Sequence, residues 1–66
     1  MKLVDKAQAE IKAMIINMEY DGDGFLLSEG DLAKKFQVSR ATIREAVRSL
    51  EIYGYLERIH GKGLRV

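Results

Sequence analysis

Apolar residues in the first part of the chain fall at Val4, Ala7, Ile11, Met14, Ile15 and Met18, recurring at spacings of three and four. That rhythm stripes one side of a helix, so a first helix with a buried face is expected over residues 4–18, Met14 and Met18 serving as packing. It stops at YDGDG, residues 20–24, where two glycines and two aspartates suit a turn. Phe25, Leu26 and Leu27 then make a minimal strand. Ser28 offers an oxygen to a free N–H of a new helix, with Asp31 in the capping-box position. Leu32, Ala33 and Phe36 give this second helix, only about two turns long, a buried edge.

Gln37 and Val38 interrupt the pattern, and Ser39 is the next N-cap. With Arg40 at zero and about 100° per residue, Ile43, Ala46, Val47 and Leu50 cluster within an arc of roughly 100°. Ala41, Arg44, Glu45, Arg48 and Ser49 lie opposite, and Arg40 and Thr42 fall on the flanks. Ile52 lies near the exposed centre of the same wheel. Gly54 suits a left-handed helix end. Residues 55–59 and 64–66 read as two short strands around HGKG, a hairpin turn with two glycines. Leu56 and Ile59 have opposite parity, which leaves the inward face of the hairpin open. Tyr53 and Tyr55, flanking Gly54, are expected to close the core against the hairpin.

The order is helix, short strand, helix, tight turn, helix, hairpin. This is a mainly α fold with a small β-hairpin: a winged helix-turn-helix of three helices plus a wing, one domain over residues 1–66.

Charge sharpens the picture. The formal net charge is +1, yet residues 1–31 hold three lysines against seven acids, while residues 32–48 hold five basic residues against Glu45 alone. A local basic concentration is the footprint of a surface that meets polyanions. Ala41 keeps the helix surface low enough to enter the DNA major groove, about 12 Å wide, and arginines reach outward to guanine edges or phosphate oxygens. Arg40, Thr42 and Arg44, near the helix start, are the expected base readers. Arg48 is expected on phosphate or in a helix-surface ion pair, and Ser39 beside a phosphate. The competing reading of this face is a solubilising stripe with Glu45 and Arg48 paired at i, i+3.

At 66 residues the chain buries only about 60% of the surface its unfolded form exposes. It has no cysteine, so it needs no oxidising compartment, and its apolar runs are far too short for a membrane span; a cytoplasmic, membrane-free setting is expected. Asp21 and Asp23 fit the first two ligand positions of a calcium loop, but Phe25, Leu26 and Leu32 stand where a ligand, the turn glycine and the bidentate acid belong. GKG lacks the rest of a phosphate-binding loop. With one histidine and no nucleophile beside a base, neither a metal, a cofactor nor an enzyme activity is expected.

LLSEGDLAKKFQVSRATIREAVRSLEIYGYLERIHGKG, residues 26–63, resembles the amino-terminal winged-helix domain of the GntR family of bacterial transcription regulators. The usual family text runs close to L-P-S-E-R-E-L-A, V-S-R-x-T-V-R-E-A-L, L-E-x-x-G and a wing ending G-x-G. The resemblance implies operator binding by a homodimer, with two recognition helices in successive major grooves of a palindromic double-stranded site and the wing in the minor groove. It gives Ser39, Arg40, Thr42 and Arg44 recognition roles and His60 with Gly61 the wing tip. Ser28, Lys35, Ala41, Arg48 and Lys62 complete the expected DNA-contacting set. Dimerisation would come from a carboxy-terminal effector domain, which these 66 residues do not contain. Three departures stand out: Leu27 replaces a proline, Gly30 an arginine that helps bind DNA, and Met18 a glycine that often ends the first helix. A winged-helix module that docks a protein instead of DNA is the alternative, with Ile52 on the docking face.

Overall fold

The computed structural model describes residues 2–66. Three helices, α1 (Leu3–Ile16), α2 (Glu29–Phe36) and α3 (Arg40–Ile52), precede two strands, β1 (Glu57–Ile59) and β2 (Gly63–Arg65). Both α1 and α2 pack on α3. The strands pair antiparallel in the register Glu57 with Arg65, Arg58 with Leu64 and Ile59 with Gly63.

The core is wholly apolar. Ile43, Ala46, Val47 and Leu50 of α3 are all fully buried, as the wheel requires, and meet Ala7, Ile11 and Met14 of α1, Leu32 and Ala33 of α2, and Leu26, Leu56 and Leu64. Each fully buried aliphatic side chain contributes about 1.5–3 kcal/mol. No polar or charged residue lies among them, so every charge is left for the surface.

All three helices end in the same way. A residue in the left-handed region follows each, and the next N–H reaches back to a carbonyl five residues earlier: Glu19 to Met14 at 2.9 Å, Val38 to Ala33 and Tyr55 to Leu50 at 3.0 Å. The left-handed residues are Met18 (φ 59), Gln37 (φ 57) and Gly54 (φ 81). Only Gly54 adopts that geometry without a Cβ clash. The α1 stop explains two differences from the sequence reading. The helix ends at Ile16, and Met18, taken up by the reversal, is 70% exposed instead of packed.

Residues 25–27 do not form a strand of their own. Phe25 makes a single antiparallel bridge to Arg65, flanked by hydrogen bonds from Leu26 N–H to Leu64 O (2.9 Å) and Val66 N–H to Gly24 O (2.7 Å). The preceding acidic turn is held by Asp21, whose Oδ1 accepts the N–H groups of Asp23 and Phe25, both at 2.9 Å. Tyr55 does pack against the core, with the Lys12 ammonium 4.7 Å from its ring centre. Tyr53 does not: it lies before the Gly54 reversal and is 72% exposed.

Candidate nucleic-acid interface

The exposed face of α3 is the product of two local devices. Ser39 Oγ accepts the Thr42 N–H at 3.1 Å and starts the helix where the left-handed Gln37 has turned the chain. The aliphatic arc then anchors the opposite side. Arg40, Ala41, Arg44, Glu45 and Arg48 are left on the surface, and Thr42 is half-buried.

Ser39 and Thr42 are coupled further by a 2.9 Å contact between their hydroxyls. A hydroxyl has two acceptor sites and one donor. Ser39 can therefore accept both Thr42 groups and still donate outward. Ser28 caps α2 in the same manner, accepting the Asp31 N–H at 3.1 Å. Both caps are exposed, as is Lys35.

Arg48 makes no ion pair with Glu45, nor with any other described residue, so the solubilising-stripe pairing does not form. Charge pairing is concentrated elsewhere. Glu29, the first residue of α2, accepts a 2.9 Å hydrogen bond from Arg58 Nη2 and lies 4.0 Å from Arg44 Nε. Arg58 Nε in turn lies 3.5 Å from Glu51 of α3. The Arg58 hydrogen bond chiefly holds the Glu29 carboxyl below its ordinary value against the opposing effect of burial, with help from the charges of Arg58, Arg44 and Arg40. Reciprocally, the bond to Glu29 holds Arg58 above its own, again against burial.

This Glu29–Arg58–Glu51 bridge ties the hairpin to both helices, and sequence reasoning missed it. The reason is parity. Arg58 lies directly opposite the buried Leu64 and shares the parity of the buried Leu56, so alternation leads one to expect an apolar side chain there, yet Arg58 stays exposed at the edge of the core. Two carboxylates satisfy it there. The same register answers the question left open between Leu56 and Ile59, since Leu56 is buried and Ile59 only half-buried. The available signal was an arginine with the parity of Leu56.

At the far end of the hairpin, His60, Gly61 and Lys62 form an exposed turn closed by a 3.0 Å hydrogen bond from Lys62 N–H to Ile59 O. Apart from Lys35, which is exposed in the last turn of α2, the expected residues thus divide into three surface groups: the start of α2, the outer face of α3 and the hairpin tip. The Glu29–Arg58 contact links the first group to the strand that leads into the last.

Comparison with known proteins gives a consistent set. A family model described as bacterial regulatory proteins, gntR family, matches residues 3–66. The chain is 39% identical over 54 residues to the arabinose metabolism transcriptional repressor of Geobacillus stearothermophilus, covering 82% of this chain and 15% of the relative. It is equally similar, 39% over 54 residues, to the HTH-type transcriptional repressor NagR of Bacillus subtilis strain 168, covering 82% of this chain and 22% of that protein. The chain therefore spans less than a quarter of either curated relative. Among solved structures, the NTD of AraR, crystallised in complex with a mutant ORR3, superposes with a TM-score of 0.90 at 30% identity, covering 100% of this chain and 94% of that one. A GntR family transcriptional regulator from Listeria monocytogenes gives 0.88 at 26% identity, covering 100% of this chain and 58% of that one.

Proposed function

Because the chain belongs to the gntR family of bacterial regulatory proteins, we propose that it is the part of a bacterial transcription regulator that binds a specific duplex DNA operator. The observation that carries this reading is the outer face of α3, where Arg40, Arg44 and Arg48 are all exposed on a helix whose other side is the core.

The N-terminal half of α3 lies in the major groove. Ala41 adds little bulk between Arg40 and Arg44, so the helix approaches closely and both guanidinium groups reach base edges or phosphates. Arg44 reads a base; its side chain is 54% exposed and only loosely attracted to Glu29 at 4.0 Å. The Ser39 hydroxyl, accepting from the Thr42 N–H and hydroxyl, donates its own proton to a phosphate, and Thr42 presents its methyl to the groove. Arg48 and Lys35, unpaired among the described residues, neutralise phosphates on either side, and Ser28 lies beside the same backbone. The turn of His60, Gly61 and Lys62 meets the minor groove, its approach held by the Arg58 bridge to α2 and α3.

In the whole protein, acting in the cytoplasm, two such domains occupy a palindromic operator as a homodimer, held together by a region outside these residues. Linking two domains raises apparent affinity through effective concentration, so the isolated domain binds weakly. The test is a salt titration on duplex DNA. If Arg40, Arg44, Arg48, Lys35 and Lys62 neutralise about five phosphates, log affinity falls against log salt with a slope near −4 to −5. Arg44→Ala is expected to cost about 1–3 kcal/mol on a selected site and relax its specificity, whereas Lys62→Ala weakens all sequences alike. A protein-docking face, for which the exposed Ile52 and Tyr53 offer an apolar end to α3, would give no duplex binding at all.

A further inference from the structure

Gly30, the second residue of α2, faces the beginning of α3. A methyl group built there would stand 2.8 Å from Nη2 of Arg40, 3.1 Å from its Cζ and 3.4 Å from its Nε. The guanidinium of Arg40 therefore fills the space that a side chain at position 30 would take. The φ of Gly30 is not positive, so its backbone conformation is open to any residue. Within a helix, glycine is less favourable than alanine. The local reason for a glycine is the close approach of Arg40.

Charge supports the same placement. Glu29, the neighbouring residue, feels the positive charge of Arg40 in addition to those of Arg58 and Arg44. No side-chain hydrogen bond holds Arg40 among the described residues, so room and attraction alone seat it. A long side chain at the first position of a helix otherwise sweeps a wide arc. Seating it in one part of that arc reduces the ordering required on binding.

We infer that Gly30 is a specificity-determining residue: by leaving the surface of α2 bare, it seats the Arg40 guanidinium at the α2–α3 junction and sets the place from which that cation meets DNA. The inference rests on the DNA-binding reading above. A Cβ at position 30 dislodges only the flexible end of one exposed side chain, so the fold survives while the position of the cation changes.

The test is a double-mutant cycle of Gly30→Ala and Arg40→Ala, on a duplex selected by the wild type and on mixed-sequence duplex, with melting curves and NMR of the Arg40 Nε–Hε group. The free wild type should show a nuclear Overhauser contact between Arg40 Hε and a Gly30 Hα. Gly30→Ala should melt no lower than the wild type, yet bind the selected duplex about tenfold more weakly or prefer a different base at one position. In the Arg40→Ala background, adding Gly30→Ala should change affinity by less than about twofold. Unchanged affinity and base preference in Gly30→Ala, or the same loss in both backgrounds, overturns the inference, as does absence of the Overhauser contact. Failure of the wild type to bind any duplex would overturn the DNA reading and the specificity role with it, whereas the Overhauser contact reports on the seat without DNA.

Discussion

Replacing Glu29 by Gln keeps the shape of the side chain and one accepting oxygen but removes the charge at the centre of the Arg58, Arg44 and Arg40 cluster. Two effects of opposite sign follow. The fold loses part of the 2.9 Å bond from Arg58, a side chain 39% exposed that keeps Glu51 at 3.5 Å. A half-exposed ion pair of this kind contributes about 0.5–1 kcal/mol, which in a domain of this size is about 2–8 °C in melting temperature. DNA binding, by contrast, gains. A phosphate resting on the Arg44 guanidinium would lie about 3 Å beyond it; since Glu29 is 4.0 Å from Arg44 Nε, the repulsion acts over about 7 Å and amounts to about 0.6 kcal/mol in water, roughly threefold in affinity. Thermal melts followed by helix signal, and anisotropy titrations on mixed-sequence duplex at low salt, read the two effects. Glu29→Gln should melt lower and bind non-cognate DNA more tightly, the gain fading as salt is raised. Because the Glu29 carboxyl is held below its ordinary value of 4.5, its contribution is complete above that pH and is lost as pH falls through the lowered value. The gap in stability between wild type and Glu29→Gln should therefore close in acid and stay constant above about pH 6. An unchanged melting temperature together with weaker non-cognate binding would refute the reasoning.

The remaining expectations concern the scaffold. Ser39→Ala removes the cap of α3 and should cost about 1 kcal/mol, with faster amide exchange at Thr42; protection at Thr42 equal to wild type would contradict the capping role. Leu50→Ala, at a position with no solvent exposure, should cost about 2–5 kcal/mol, comparable to the whole reserve of so short a domain. Its circular dichroism at 37 °C should be that of a largely unfolded chain, and a cooperative melt well above that temperature would count against the packing described. Met18→Gly relieves a left-handed non-glycine at a site 70% exposed, so it should raise stability by about 0.5–1 kcal/mol, and a lower melting temperature would show that Met18 packs after all.

Reading the sequence located what depends on local periodicity and missed what depends on long-range register. The arc of Ile43, Ala46, Val47 and Leu50 was legible because a helix repeats every 3.6 residues whatever it packs against, and all four are fully buried. Ser28 and Ser39 were legible because a cap is a contact over three residues. Met18 was misread as packing because a hydrophobic residue at the right spacing gives no sign that the chain has already reversed. Arg58 escaped notice because its partners are 29 residues upstream and on the neighbouring helix, and only the strand register places it beside them. Arg40, expected on the flank of α3 as a base reader, lies over Gly30, a placement that appears only when α2 and α3 are set side by side.

The most direct measurement of where this domain meets DNA is backbone amide NMR during titration with a selected duplex. The expected result is that shifts concentrate at Ser28 to Gly30, at Lys35, at Ser39 to Arg48 and at His60 to Lys62, surface positions well separated in sequence. Shifts confined to α1 or to Ile52 and Tyr53, with Arg40 and Arg44 undisturbed, would contradict the assignment of the α3 face to the major groove.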